Sequence, residues 1–166
     1  MRNDNHRWDP PTLLSRSGNS VTLTEVVGLT QHMVSGVNVL ERFADKLIDW
    51  PDGLAAVGYA LSMRRDRVLV VGATDLKTGF NPDSGLAVTD MSDAYAVFDL
   101  TGPHALDRLR MGAEIPLDQP SRSVARQVFG CDVLLCCLAK KRGFRLHLPR
   151  ANAQSVAAHL CYEQLR

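Results

Sequence analysis

The sequence predicts an α+β fold built from duplicated β-α-β-β units. Short alternating runs of apolar residues, typical of strands, occur in both halves of the chain. Each half also carries an amphipathic helical segment that follows a strand, and turn-forming residues then separate two further strands. Hairpins beside helices favour this class over a doubly wound parallel sheet. The halves share no obvious sequence repeat, so the duplication is predicted from the order of elements.

The composition is that of an ordinary globular domain. The chain has 166 residues, of which 45% are hydrophobic and 22% charged, and its formal net charge is +1. This balance gives no electrostatic reason to expect nucleic acid or an anionic membrane as the main partner. Residues 1–8 lack the apolar segment of a signal peptide, and no apolar run approaches the ~20 residues of a membrane span. The sequence therefore predicts a cytoplasmic protein.

Two segments divide the chain. Residues 1–20 are polar and contain a pair of prolines, and we interpret them as an extended N-terminal arm. The arm either frays or lies along a partner, because it carries three large apolar side chains: Trp8, Leu13 and Leu14. Residues 21–166 are predicted to form a single domain, with halves at about 21–73 and 86–166.

The first half begins with strand-forming residues and continues into a helix. Residues 21–34 are apolar and β-branched enough for one or two strands. Asn38 is a favourable N-cap, Glu41 completes the spacing of a capping box, and Pro51 ends the helix. An apolar stripe marks its buried face: Leu40, Phe43, Ala44, Leu47 and Ile48.

Two strands and a loop complete the first half. Residues 55–62 and 67–72 are predicted to be strands, separated by a polar turn at 64–66. Residues 74–85 are rich in Gly, Pro, Asn and Asp and are predicted to be a loop.

The second half repeats the order of elements. Thr101, Gly102 and Pro103 lead from a strand into a helix, which Gly112 ends. Alternating patterns or buried runs predict strands at about 86–88, 94–100, 123–129, 133–139 and 144–148. A final helix at about 152–164 buries four side chains: Val156, Ala157, Leu160 and Cys161.

The sequence carries none of the common motifs for nucleotide binding or metal catalysis. It contains no Gly-x-Gly-x-x-Gly, no Gly-x-x-x-x-Gly-Lys and no His-Glu-x-x-His. Four cysteines without a secretory signal are predicted to be buried, reduced thiols: Cys131, Cys136, Cys137 and Cys161. Cys136 and Cys137 are adjacent on a predicted strand, so their side chains point to opposite faces and cannot easily share one zinc ion.

Several further features have both a functional and a structural interpretation. Cys131 would act as a nucleophile only beside a base, which the sequence does not identify. Residues 140–142 and Arg145 form a basic cluster, which we interpret as a solvated hairpin turn. The turn at 101–105 presents backbone N–H groups that could bind an anion, although a tight strand-to-helix corner is favoured. The histidines are predicted to be surface or satisfied core residues: His6, His32, His104, His147 and His159.

Residues 85–92 and 96–105 resemble the folate-binding fold of glycine-cleavage aminomethyltransferases. In that family a Gly-Leu-x-x-x-Asp-x-Ser segment precedes a strand that ends in Ser/Thr-Gly-Pro-x-Ala, and this chain has both. The same corner occurs in the amino-terminal domain of a tRNA-modifying GTPase. The resemblance therefore implies the fold of a superfamily and not one activity.

The order and spacing of further segments resemble the gamma subunits of heterotetrameric sarcosine oxidases over roughly residues 21–166. These segments are 21–25, 88–93, 115–118 and 143–150. The resemblance implies a small non-catalytic subunit of a complex that oxidatively demethylates sarcosine or a related N-methyl amino acid and passes the one-carbon unit to tetrahydrofolate. It also implies partners of alpha, beta and delta type, with NAD and folate on alpha, FAD on beta, FMN between alpha and beta, and zinc on delta.

The same resemblance implies no catalytic, cofactor-binding or metal-binding residue in this chain. Folate-using relatives carry a Gly-rich turn and an acidic pair where this chain has Gly130, Cys131 and Asp132. Asp132 is the one candidate for residual folate chemistry and is otherwise a turn residue. Two alternatives stay open. One is a stand-alone folate-binding protein, in which Asp132 would line a central pocket, and the other is an RNA-modification-associated module, which would need a basic face.

Overall fold

The computed structural model describes residues 21–54, 58–73, 75–113, 119–138 and 143–162, and the backbone of 15–17. The described strands are β1 (Ser15–Ser17), β2 (Thr22–Glu25), β3 (Gln31–Ser35), β4 (Gly53–Leu54), β5 (Tyr59–Arg64), β6 (Arg67–Val71), β7 (Gly79–Asn81), β8 (Leu86–Asp90), β9 (Tyr95–Thr101), β10 (Ala125–Val128), β11 (Cys131–Leu138) and β12 (Gly143–Pro149). The helices are α1 (Val39–Arg42), α2 (Ala105–Gly112) and α3 (Ala153–Leu160), the last preceded by a 3-10 turn at Arg150–Asn152.

The strands form two sheets, which we call the large sheet and the small sheet. The large sheet has the order β1-β2-β9-β12-β11-β10, with β4 paired to β11, and the small sheet has the order β5-β6-β3-β8-β7. Pairing between these strands is antiparallel except between β4 and β11. Mostly antiparallel sheets with separate helices agree with the predicted α+β class.

Each sheet contains strands from both halves of the chain. β2 comes directly before β3 in the chain, but it pairs with β9 in the large sheet. β8 comes directly before β9, but it pairs with β3 in the small sheet. The large sheet therefore combines β9 to β12 of the second half with β1, β2 and β4 of the first half, and the small sheet combines β3, β5 and β6 with β7 and β8.

Buried apolar residues hold these layers together. One cluster packs the large sheet against α2 and α3 and includes Phe98, Leu109, Leu146 and Leu160. A second cluster lies between the sheets and includes Leu61, Leu69 and Leu134. Cys137 belongs to the first cluster and Cys136 to the second, so the prediction that these two side chains point to opposite faces is confirmed.

The helix predicted over residues 38–51 is wrong in length. α1 has only four residues, and Asn38 has a left-handed backbone (φ 57°) without a side-chain cap hydrogen bond. An N-cap normally has an extended backbone, so the capping box does not form. The chain then leaves the helix to bond with β5. The Lys46 carbonyl accepts from the Ala60 N–H at 2.7 Å, and the Ile48 N–H donates to the Ala60 carbonyl at 3.0 Å.

Part of the predicted loop at 74–85 is a strand. β7 pairs with β8, and Asn81 closes the turn between them, because its Oδ1 accepts from the backbone N–H groups of Asp83 and Ser84 at 2.9 and 3.2 Å. Gly85 completes this turn with a left-handed backbone (φ 66°). The turn-forming residues thus make a hairpin instead of a long loop.

The other predicted elements agree with the structure where it describes them. α2 and α3 lie at the two remaining helix positions, and the predicted strands of the second half are present. However, α3 ends at Leu160, and Cys161, predicted to be buried, is only partly so. Residues 15–17 of the arm form β1, which pairs with β2. The arm residues Trp8, Leu13 and Leu14 and the basic residues 140–142 lie outside the described residues. Within the described part, no helix is long and apolar enough to cross a membrane.

Candidate functional site

A chain of hydrogen-bonded polar side chains connects the two sheets. Tyr59 of β5, His147 of β12 and Gln31 of β3 are all buried. The Tyr59 hydroxyl oxygen lies 2.8 Å from His147 Nε2, and His147 Nδ1 lies 2.8 Å from Gln31 Oε1. Gln31 Nε2 donates to the Tyr95 carbonyl at 3.3 Å. We call Tyr59, His147 and Gln31 the inter-sheet network.

The network fixes the tautomer of His147. Gln31 Oε1 can only accept a hydrogen bond, so His147 carries its proton on Nδ1 and donates it to Gln31. Nε2 is then an acceptor, and the Tyr59 hydroxyl donates to it. The imidazole therefore has both nitrogens bonded while it is neutral, as a buried histidine requires.

Burial keeps the network uncharged. It lowers the pKa of His147 to about 3, because a charged imidazole would lose its hydration, and repulsion from Arg145 adds to this effect. Burial also raises the pKa of the Tyr59 hydroxyl. Neither group changes its charge near neutral pH, so neither is suited to act as a general acid or base there.

An ion pair lies beside the network on the same face of the large sheet. Arg145 donates to both carboxylate oxygens of Asp99, from Nε at 2.7 Å and from Nη2 at 2.8 Å. The Arg145 and Asp99 side chains are 18% and 24% exposed. The bond to Asp99 raises the pKa of Arg145. The interpretation of Arg145 as part of a solvated basic cluster is wrong, because Asp99 neutralises its charge within the fold.

A cleft of about 480 Å³ opens between the two sheets at the side of β10 and β11. Its small-sheet wall includes Met63, Arg64 and Arg67, and its large-sheet wall includes Tyr95, Ala125, Gln127, Asp132 and Leu134. Asp132 is exposed here, and its Oδ1 accepts from Gln127 Nε2 at 3.2 Å. The structure therefore places Asp132, the candidate for folate chemistry, in a cleft large enough for a small molecule.

Cys131 has an amide as its hydrogen-bonding neighbour. Asn152 Nδ2 lies 2.9 Å from Cys131 Sγ. An amide cannot take the thiol proton, so this contact does not support Cys131 as a nucleophile. Within the described residues, no group of three His, Cys, Asp or Glu side chains is placed to hold a metal ion.

The turn at 101–105 is the strand-to-helix corner that the sequence favours. Gly102 takes a positive φ of 114°, and α2 begins at Ala105. His104 Nδ1 lies 3.1 Å from Asp107 Oδ2, and both side chains are exposed. This corner is separate from the inter-sheet network and from the cleft.

Sequence reasoning missed Asp99 and the inter-sheet network. A polar residue at an inward position of an apolar strand is the available signal, since Asp99 follows Phe98 and His147 stands between Leu146 and Leu148. The signal does not identify the partner. Asp99 is 46 positions from Arg145, and Tyr59 is 88 positions from His147.

Comparison with known proteins supports a fold relationship. No protein-family model matches this chain, and no curated protein matches its sequence. Among solved structures, a chain of heterotetrameric sarcosine oxidase from Corynebacterium sp. U-96, in complex with pyrrole 2-carboxylate, matches with a TM-score of 0.65. The match covers 92% of this chain and 91% of that chain at 18% sequence identity. The two chains therefore share a fold.

Proposed function

We propose that this chain is a non-catalytic, gamma-type subunit of a sarcosine oxidase-like flavoenzyme complex. The complex would oxidatively demethylate sarcosine or a related N-methyl amino acid and pass the one-carbon unit to tetrahydrofolate. The observation that carries the proposal is the fold match to a chain of a heterotetrameric sarcosine oxidase over nearly the whole of both chains.

The lengths of the two matched chains support a subunit role. Because the match covers similar shares of each, the two chains are of nearly equal length. A small chain of a heterotetramer is the simplest counterpart of the present one. The sequence resemblance at 88–93 and 143–150 points to the same gamma-type subunit. A further part of the proposal is that the two halves of the chain are duplicated units like those of the aminomethyltransferase folate domain, and the order of elements in the two halves supports it.

The chemistry of the buried groups supports a non-catalytic role. The pKa of His147 lies at about 3 and that of the Cys136 thiol is raised by burial to about 12, so neither is poised for proton transfer at neutral pH. The Arg145 charge is engaged by Asp99. In this proposal the FAD, FMN, NAD, tetrahydrofolate and zinc of a cytoplasmic complex are held by subunits of alpha, beta and delta type.

Purification of the tagged full chain from its native host tests the proposal. We expect a complex that shows flavin absorption, contains this chain in stoichiometric amount and consumes oxygen when sarcosine is added. The control is the same chain made in a host without the partner genes, which should be colourless and inactive. Recovery of the native chain alone, or flavin binding by the control preparation, would contradict the proposal.

A stand-alone folate-binding protein is the second candidate, favoured by the position of Asp132 in the cleft. Titration of tetrahydrofolate against the pure chain and against Asp132→Asn tests it. Saturable binding that the substitution removes would support this candidate over the first. The alternative of an RNA-modification-associated module is less favoured because the net charge is only +1.

A further inference from the structure

Charged and polar side chains on the two walls of the cleft lack charged partners. The described contacts of Arg67 and Asp132 are to neutral groups: Arg67 Nε donates to Ser35 Oγ at 3.2 Å, and Asp132 accepts from Gln127. Within the described part of the chain, neither side chain takes part in an ion pair. The remaining guanidinium donors of Arg67 and a carboxylate oxygen of Asp132 are therefore available to a ligand.

The charges of Arg67 and Asp132 both influence the pKa of one hydroxyl group in the cleft, that of Tyr95. Burial raises the pKa of the Tyr95 hydroxyl, the Asp132 carboxylate raises it further, and the Arg67 guanidinium lowers it. Tyr95 lines the same cleft. A cation and an anion thus stand on facing walls of the cleft that Tyr95 also lines, and they do not form an ion pair with each other.

Apolar side chains and two further arginines, Arg126 and the exposed Arg64, complete the lining, and Arg126 donates from Nη1 to the carbonyls of Ser123 and Ala125. Met63 lies on the small-sheet wall, and Ala125 and Leu134 lie on the large-sheet wall. The cleft volume of about 480 Å³ falls in the range of small-molecule sites, roughly 300–1,000 Å³. A ligand that suits this lining carries a negative group, a positive group and an apolar body.

We infer that this cleft binds a free α-amino acid with an apolar side chain. The ligand carboxylate accepts from the Arg67 guanidinium and the Tyr95 hydroxyl, and its ammonium group donates to the Asp132 carboxylate. The ligand side chain packs against Met63 and Leu134. This site is additional to the proposed subunit role and does not depend on it.

The test uses the purified full chain and L-leucine, with two analogues that each lack one charge. They are 4-methylpentanoate, which has no ammonium group, and 3-methylbutylamine, which has no carboxylate. Calorimetry measures affinity, and amide shifts in NMR spectra locate the site. We expect leucine to bind about tenfold or more tightly than either analogue, the size expected for the loss of one charge-assisted contact.

Two substitutions should separate the two ends of the ligand. Arg67→Gln should weaken leucine and 4-methylpentanoate about tenfold and leave the amine unchanged, whereas Asp132→Asn should weaken leucine and the amine and leave the acid unchanged. Arg65→Gln and Asp83→Asn are matched controls, because both residues are exposed and neither lines the cleft. If Arg67→Gln fails to fold, Tyr95→Phe should show the same loss of affinity for leucine and 4-methylpentanoate.

Several outcomes would overturn the inference. The inference is wrong if leucine binds no more tightly than its analogues, because the site would then not recognise both charges of the ligand. It is also wrong if the NMR amide shifts are confined to residues outside the cleft. Displacement of leucine by tetrahydrofolate, with loss of both in Asp132→Asn, would assign the cleft to folate instead. These results are independent of complex formation, so they leave the proposed subunit role to its own test.

Discussion

The inter-sheet region and the cleft hold similar chemistry in different states. Beside the inter-sheet network, Arg145 and Asp99 face each other at 2.7 and 2.8 Å and neutralise each other's charge. In the cleft, the side-chain contacts that Arg67 and Asp132 make within the described residues are to a serine and a glutamine. The first arrangement stabilises the fold, and the second leaves its charges available to a molecule from solution.

The position of each site in the sheets explains the difference. β9 and β12 lie in the interior of the large sheet, so polar groups on them lose contact with water and need partners within the protein. Arg67 is the first residue of β6 and Asp132 the second residue of β11, so both lie beside turns at strand ends and keep access to water. The same residue types therefore stabilise the fold in the middle of strands and remain accessible at strand ends.

The largest expected difference between the two regions is in the cost of losing a carboxylate. Asp99→Ala leaves the mostly buried Arg145 guanidinium without its partner and should lower the free energy of unfolding by about 2–3 kcal/mol. Asp132→Ala, the matched change in the cleft, should alter it by less than about 0.5 kcal/mol. Urea unfolding of both variants measures this, and equal losses would remove the distinction between the two regions.

The pH dependence of stability should report on the inter-sheet network. The unfolded chain binds a proton at His147 near its ordinary pKa of 6.5, whereas the folded protein does so only near 3. The unfolded form therefore binds more protons between these values, and stability falls as the pH drops through this window.

The steepest slope from this one group is about 1.4 kcal/mol per pH unit. His147→Gln should flatten the profile between pH 6.5 and 4, while His159→Gln, at an exposed position, should keep the wild-type slope. An unchanged profile in His147→Gln would show that the network does not control acid stability.

A smaller contrast is expected between two tyrosine hydroxyls. Tyr59→Phe removes the donor to His147 Nε2 and leaves that buried nitrogen unbonded, which should cost about 1–2 kcal/mol. Tyr95→Phe in the cleft should cost less than about 0.5 kcal/mol. Thermal unfolding of the two variants compares them, and a larger loss in Tyr95→Phe would reverse our ordering of the two regions.

The last prediction concerns the order in which the thiols are alkylated, and its test requires no substitution. Burial raises the pKa of Cys136 to about 12, so little thiolate is present and the side chain should resist alkylation in the native protein. Cys131 and Cys161 are only partly buried and should react first. Mass spectrometry after brief treatment with iodoacetamide identifies the labelled residues. Early labelling of Cys136 would show that the space between the sheets is open to reagents.

The sequence predicted elements with strong local patterns and missed contacts that depend on distant residues. The strand containing Ala96, Phe98 and Leu100 and the corner at 101–105 follow from alternation and from Gly-Pro chemistry. Asn38 was predicted to cap a long helix, but residues 46–48 bond to β5, and this tertiary pairing overrides local propensity.

The candidate site was predicted only in part for the same reason. Asp132 was identified, although the arginine facing it across the cleft belongs to a distant strand. The bonding of Asp99 to Arg145 depends on the register between β9 and β12, which no local pattern reveals.

The pairing of β2 with β9 and of β8 with β3 determines which strands of the protein can pair while the chain is still being synthesised. All strands of the small sheet have been synthesised once β8 ends at Asp90, but β2 must wait for β9, and β9 must wait for β12 at Gly143–Pro149. A nascent chain therefore holds a complete set of small-sheet strands beside an unfinished large sheet. A pause in translation between β8 and β9 leaves β2 with an open edge, which can pair with the β9 strand of another molecule and link two chains by strand exchange.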